Sequence, residues 1–403
     1  MKIIDLFCGC GGFTLGAYQA GFISSLALDK DRDLLSAYKR NFQLGLARQR
    51  DIDTVTARSL LNLSKDLRPI GVIGGPPCQG FSVIGRQCAG DERNTLVGKF
   101  LSLAVSLRPA FFVMENVPGI LAKQHRVALE LALENITPPY DFVGPIILNA
   151  ADYGAATNRK RVLIIGFDRN RMHSITEADL LEAQISARPI SVSEAIRDLP
   201  SPGPPDRKSN GYGWYKTPKA VRLTEYAKKM RAPPPDCMLP LYARGLYEGG
   251  FITGLESTVH TPKIIERFAG TEPGKEEKVS RYYRLSWDRP APTLRAGTGP
   301  DRGSYQAARP IHPDEPRVIT VREAARLQGF PDWFLFHPAK WHSHRMIGNS
   351  VSPIFAEAIM KVIASKLDSF ENQSKNVFSF NGPIDTRTAL AVDVSSAKQG
   401  HVS

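Results

Sequence analysis

The stretch Ile3-Ile4-Asp5-Leu6-Phe7-Cys8-Gly9-Cys10-Gly11-Gly12 decides how the chain is read. A short, mostly apolar run, 3–7, stops at a corner of glycines, and the following segment, 13–20, has helical spacing up to Gly21. This is the pattern of a buried strand turning into a helix. Glycines at such a corner let the backbone approach a ligand and leave amide N–H groups pointing at it. A second strand, 26–28, ends at Asp29, twenty residues after Gly9. A carboxylate at that distance suits the hydroxyls of an adenosine ribose. The corner reads Gly-x-Gly-Gly and lacks the Gly-x-x-Gly ending of the dinucleotide fingerprint. A dinucleotide enzyme and a purely structural turn both remain readings of this segment alone.

Further strands are expected at 71–73, 111–114, 146–148 and 161–165. Between them lie helical spacings such as Leu96, Phe100, Leu103, Ala104 and Leu107. Strands alternating with helices predict an α/β fold with a parallel sheet covered on both faces. In such sheets ligands bind at the carboxyl ends of the strands.

Three chemical features stand at those ends. Cys78 lies on the stiff loop Gly74-Gly75-Pro76-Pro77-Cys78-Gln79-Gly80-Phe81-Ser82, directly after a strand. A thiol held there is a candidate nucleophile, although a cysteine taken at random is more often a buried structural residue. Glu115 follows the strand 111–114, where helix capping is its plain alternative role. Arg159 and Arg161 lead into the strand 161–165, where surface charge is theirs. One thiol, one carboxylate and two guanidiniums are thus directed at one pocket.

The 403 residues suffice for two domains. Apolar content of 42% and 23% charged residues are ordinary for a soluble globular protein. A net charge of +12 favours a polyanionic partner, nucleic acid before an acidic membrane surface. The five cysteines (Cys8, Cys10, Cys78, Cys88, Cys237) are odd in number and match no zinc spacing, so no metal is expected. Their sparse use fits a reducing compartment. The first apolar segment starts at Ile3, which leaves no room for a signal peptide, and no apolar run is expected to span a bilayer. A cytoplasmic protein without a membrane partner follows as the expectation.

After Gly166 the texture changes. Nine of the 30 prolines fall between Pro200 and Pro240. From Pro200 to Pro290, 16 Lys or Arg face 10 Asp or Glu, so half of the net charge sits in under a quarter of the chain. This predicts a loop-rich second domain with a basic surface, or a charged structural insertion. Helical patterning returns at 320–327 and 354–367, and the polar stretch 371–403 is expected as a mobile tail.

The motifs together resemble the cytosine-C5 DNA methyltransferases of bacterial restriction–modification systems. Asp5-Leu6-Phe7-Cys8-Gly9-Cys10-Gly11-Gly12 matches the family's first motif, 75–82 its nucleophile loop, and Glu115-Asn116-Val117 its acid motif. Segment 149–161 resembles its arginine motif, while Arg289-Pro290-Ala291-Pro292-Thr293 and Gly348-Asn349-Ser350-Val351 match its late motifs. The stretch 318–331 is also family-like. The resemblance covers about 1–166 and 281–365 in the family's order. One departure is that Ala156 and Thr157 stand where the arginine motif usually carries Pro-Gln.

The resemblance implies a Rossmann-like sheet that binds S-adenosylmethionine, with a second, smaller, loop-rich target-recognition domain. Residues 1–166 would form the catalytic and S-adenosylmethionine-binding domain, 167–284 the target-recognition domain, and 285–370 the late motifs with a helix returning to the first domain. Cys78 would be the nucleophile and Glu115 the acid. Arg159 is the stronger candidate for direct catalysis and Arg161 for support. Phe7, Gly9, Gly11 and Gly12 would line the methyl donor, Asp29 would hold its ribose, and Asp51 and Ile52 would flank the adenine, with Asp53 competing for the place of Asp51. Pro76, Leu96, Asn349 and Val351 are further donor contacts, and Gln79 and Ser82 candidate DNA contacts. The implied partners are double-stranded DNA and a separately acting restriction endonuclease, with the enzyme acting as a monomer. A tRNA cytosine methyltransferase and a catalytically inactive DNA-binding relative are the alternatives.

Overall fold

A computed structural model describes residues 1–65, 68–77, 96–134, 136–184, 188–204, 213–217, 222–297 and 309–379. Seven strands form the main sheet: β1 (Lys2–Leu6), β2 (Ile23–Asp29), β3 (Leu46–Gln49), β4 (Gly71–Gly74), β5 (Phe111–Asn116), β6 (Tyr140–Asn149) and β7 (Lys160–Asp168). Their order is β3-β2-β1-β4-β5-β7-β6. Neighbours from β3 to β5 are parallel, and β7 runs against both β5 and β6. The expected all-parallel sheet is corrected in this one strand. A parallel neighbour needs a crossover of a dozen or more residues. Only a short link lies between β6 and β7, a 3-10 turn at Ala150–Tyr153 and a two-residue strand at Thr157–Asn158, so the chain doubles back.

Strand residues alternate between two cores, as the pleat requires. Ile3, Phe111 and Val113 face one side, while Ile4, Phe112 and Met114 face the other. Helix α1 (Gly12–Gln19) covers the first side together with the last helix. Helices α3 (Ala57–Leu63), α4 (Leu96–Ser106) and α5 (Lys123–Glu134) cover the second. Helix α2 (Arg32–Asn41) is capped by Asp31, whose carboxylate accepts from the N–H groups of Asp33 and Leu34.

The late segments supply α6 (Val321–Gln328), α7 (Lys340–Asn349) and α8 (Pro353–Ser379). Phe355, Ile359, Ile363 and Leu367 recur every four residues and pack into the α1-side core. A Cβ on Gly16 would lie 2.5 Å from the Pro353 carbonyl oxygen, so only glycine permits this approach of α1 to α8. Helix α8 continues past residue 370 because neither Gly nor Pro interrupts it before Ser379. The first nine residues assigned to the tail are therefore helical, and 380–403 lie outside the described residues. The segment Lys340–Phe370 also corrects the expectation about apolar runs. It is long and apolar enough to cross a membrane by length and composition, its most apolar 18-residue window having a mean hydropathy of 1.2. Its most apolar window is 72% buried inside the fold, as a core helix is.

The chain stays on the large sheet beyond the expected boundary at 166. β7 ends at Asp168, and Met172, Ile175 and Leu180 still belong to the α1-side core. Beyond them come short helices and a two-stranded ribbon of Trp214–Lys216 with Phe251–Thr253. Val192, Tyr226 and Met230 share a third core with Leu34, Tyr38 and Phe42 and with Leu327, Phe330 and Phe334. At its centre is α6, buried over all eight residues and started by a Thr320–Glu323 capping box. Its Arg322 donates to the carbonyls of Thr253, Pro331 and Phe334, and its Arg326 pairs with Asp332 and Asp198. These guanidiniums are tolerated in the core because their N–H groups find acceptors there.

Candidate active site

The site is built at the carboxyl edge of the sheet. β1 runs into a tight corner with Phe7 at φ 67°, Gly9 at 55° and Gly11 at 101°. Gly11 then serves as the left-handed cap residue of α1. Gly9 N–H donates to Asp29 Oδ2 at 2.8 Å, and Asp31 N–H donates to Asp29 Oδ1 at 2.8 Å. The end of β2 is thereby tied to the glycine corner. Burial raises the Asp29 carboxyl above its ordinary pKa, against the opposing pull of these two N–H groups.

Gly12 is required by close approach. A Cβ there would lie 2.0 Å from Ser350 Oγ and 2.3 Å from the Val351 carbonyl oxygen. The first and last motifs of the chain therefore touch. Between them opens a cleft lined by Phe7, Gly9, Gly12, Gly75, Glu115 and Asn349, among others. A Cβ on Gly9 would meet nothing within 4 Å. Backbone there faces free space, as a cradle for a ligand backed by the Asp29 carboxylate should.

Glu115 enters the cleft from the end of β5. Its Oε1 lies 2.7 Å from Arg161 Nε, and both side chains are about nine-tenths buried. Arg159, two residues earlier, is spent differently. Its Nη1 donates to the Leu294 carbonyl at 3.2 Å and its Nη2 to the Gly348 carbonyl at 2.8 Å. Its backbone N–H donates to Asn149 Oδ1 at 2.8 Å. Burial and the charge of Arg161 lower the Arg159 guanidinium to about 9. The two arginines thus divide the work: Arg161 faces the carboxylate, and Arg159 joins β7 to both late motifs.

The segment that departs from the family pattern is braced by a parallel seam, Thr157–Asn158 against Ala291–Pro292. Ala291 N–H donates to the Ala156 carbonyl, Thr157 Oγ1 to the Pro292 carbonyl at 3.1 Å, and Thr293 Oγ1 to the Asn158 carbonyl at 2.5 Å.

Of the other expected residues, Pro76 is buried and its carbonyl accepts from Asn116 Nδ2 at 2.9 Å. Leu96 opens α4 and is half-buried, Val351 is buried, and Asn349 is exposed at the cleft. Asp51 caps the 3-10 turn Ile52–Thr54, accepting from Asp53 N–H at 3.1 Å, while Ile52 is buried. Cys78, Gln79 and Ser82 lie outside the described residues. Cys8 and Cys10 are buried, which raises both thiols, Cys10 to about 12, and keeps them protonated. Asn116, Ser350 and Met346 escaped the sequence reading as individual contributors, although the first two stand inside motifs it singled out. Among the described residues no group of side chains could hold a metal ion.

The C-5 cytosine-specific DNA methylase family matches residues 1–365. The chain is 39% identical over 377 residues to the type II methyltransferase M.XorII of Xanthomonas oryzae pv. oryzae, covering 90% of this chain and 85% of that one. It is 32% identical to the type II methyltransferase M.DdeI of Desulfomicrobium norvegicum, covering 90% and 88%. A crystal structure described as a prophage-encoded DNA modification methyltransferase (E. coli) superposes with a TM-score of 0.80 at 37% identity, covering 91% of this chain and 99% of that one. The S. pombe Dnmt2 methyltransferase, at 15% identity and a TM-score of 0.58, shares the fold. A matched order of motifs, a glycine corner facing open space and a buried carboxylate–guanidinium pair in the same cleft agree with these likenesses. The chain belongs to the C-5 cytosine-specific DNA methylase family and is a DNA cytosine-C5 methyltransferase of the restriction–modification type.

Proposed function

We propose that Cys78 is the attacking group and that Glu115 with Arg161 governs the charge of the target ring. The methyl donor of the family is S-adenosylmethionine, which supplies an electrophilic methyl group. The open space beside Gly9, the aromatic ring of Phe7 and the anchored carboxylate of Asp29 fit that molecule. Gly11 and Gly12 shape its cradle, Asp51 and Ile52 flank its adenine, and Pro76, Leu96, Asn349 and Val351 complete its walls.

C5 of cytosine is a weak nucleophile. Addition of the Cys78 thiolate to C6 makes the ring an enamine, nucleophilic at C5. That addition puts negative charge on the ring, which a proton shared between Glu115 and N3 relieves. Arg161 keeps the Glu115 carboxyl aimed and offers its remaining N–H groups to O2. Arg159 acts through position, holding the segments around Leu294 and Gly348 against β7. After methyl transfer a base removes the C5 proton and the thiolate leaves. A cytosine stacked in a duplex is out of reach of this cleft, so it is flipped into it. Gln79 and Ser82, on the Cys78 loop, grip the strand during flipping.

Within 167–284, the part that follows Leu180 forms the target-recognition part, reading base edges in the major groove while Lys and Arg hold phosphates. The enzyme acts as a monomer in the cytoplasm on double-stranded DNA, alongside a separate cognate endonuclease. The observation that carries this reading is the buried Glu115–Arg161 pair opening onto the same cleft as the glycine corner. Its family being that of the C-5 cytosine-specific DNA methylases and its relatives type II methyltransferases, the tRNA alternative is not favoured. Bisulfite sequencing of DNA from cells expressing the protein tests it. Methylated cytosines in one recurrent sequence are expected; their absence, with methylation found on tRNA instead, overturns it.

A further inference from the structure

Helix α7 separates two cavities. Met346 and Asn349 line the cofactor cleft, while Trp341, His344 and Ile347 line a second cavity together with Arg295 and Arg309. Leu294, whose carbonyl is held by Arg159, also lines the second cavity.

Its charge is one-sided. Elsewhere on α7 the cations are paired: Arg345 with Asp31, and His342 with Asp33 when protonated. Nearby Arg317 is neutralised by Glu315 and Glu323. Among the described residues no carboxylate comes within ion-pair distance of Arg295, Arg309 or Lys340. Lys340 Nζ is oriented by a 2.7 Å bond to the Ser257 carbonyl, and Glu256 is the nearby acid that counters it electrostatically. Burial, with Arg309 and Lys340 close by, lowers the pKa of His344, leaving a neutral imidazole able to donate one hydrogen bond. Two half-buried cations, Arg309 and Lys340, with no acid at ion-pair distance among the described residues, are unfavourable unless an anion joins them.

We propose that Arg309, Lys340 and His344, flanked by Arg295 and Trp341, form a socket for one backbone phosphate of the bound DNA. This rests on DNA being the substrate. It places a strand contact outside 167–284, on the α7 face away from the methyl donor. The socket holds the backbone near the flipped nucleotide and carries no sequence preference.

The test is duplex binding by the full chain without methyl donor, across a salt series, for wild type and for Arg309→Gln/Lys340→Gln. Losing one phosphate contact should reduce the slope of log affinity against log salt by about 0.9. Affinity should fall by the same factor on target and unrelated duplexes. S-adenosylmethionine binding should stay unchanged, which also reports that the variant is folded. Arg309→Lys should retain most of the affinity. On a target duplex carrying single methylphosphonate links, wild type should weaken at one socket position where the double variant loses nothing more. An unchanged slope overturns the proposal, and so does a loss confined to the target duplex, which would indicate base reading. Wild type that binds no duplex at all would instead sink the DNA reading itself.

Discussion

Arg161 Nε stands 2.7 Å from Glu115 Oε1 in a pair almost closed to water. Removing one partner of such a pair leaves a buried charge uncompensated, typically at a cost of about 3–5 kcal/mol. Arg161→Ala should therefore destabilise the protein on that scale in chemical denaturation. Adding Glu115→Gln to it should restore part of the loss, because no bare carboxylate then remains.

Glu115→Gln alone should act on chemistry. An amide cannot deliver a proton to N3, so kcat should drop by roughly 10²–10⁴, the usual worth of a positioned acid. S-adenosylmethionine affinity, measured by calorimetry, should change little. A kcat within threefold of wild type would remove Glu115 from the proposed role.

Cys78→Ala should abolish methyl transfer while donor binding persists, since no nucleophile remains to activate C5. A duplex carrying 5-fluorocytosine at the target should trap the wild-type enzyme covalently, because the fluorine cannot leave as a proton does. Peptide mapping should find the adduct at Cys78. An adduct formed on tRNA but not on DNA would favour the RNA enzyme.

Legibility followed local chemistry. β1, β4 and β5 are mostly apolar and buried on both faces, so their residues announced them. β3, Leu46–Gln49, is a half-exposed edge of Leu-Ala-Arg-Gln and carries no such signal. The direction of β7 is set by the short link before it, not by its own residues. Among site residues, the glycine corner and Glu115 were legible because strand ends and motifs mark them. The split between Arg159 and Arg161 was not. Residues two apart on a strand share a face, so periodicity does not separate the two; Arg159 is set apart by the carbonyls of Leu294 and Gly348, more than a hundred residues away. The buried Arg322 and Arg326 likewise look like ordinary surface charges of an amphipathic helix until their distant partners, the Thr253 carbonyl and the Asp198 carboxylate, are seen.

Gly12→Ala tests the junction of the first and last motifs. The added Cβ would have to displace Ser350 Oγ and the Val351 carbonyl, which are 2.0 and 2.3 Å away. The second contact is backbone and cannot swing aside. S-adenosylmethionine affinity should fall at least tenfold, with a stability loss of about 1–3 kcal/mol from overpacking. Normal affinity would show that the 348–351 segment can shift without touching the donor site.

Asp5 makes a prediction in pH. It is 1% exposed on the α1 side of β1, with Thr14 Oγ1 donating to its Oδ2 at 2.5 Å. Its Oδ1 has no partner among the described residues. Burial raises its pKa from 3.8 to about 8, outweighing the Thr14 bond, and the charge of Asp29 adds to the rise. Between those values the folded state holds a proton that the unfolded chain has released. Stability from this group is thus fully present below about pH 4 and is lost as pH climbs through 8. Asp5→Asn cannot ionise, so its melting temperature should gain on wild type steadily from pH 5 to about pH 8 and level off above it. A constant offset from the unpaired amide is expected at every pH and does not affect the trend. A gap that stays flat across that range would mean that Asp5 ionises normally in the folded protein, with its charge accommodated beneath the glycine corner.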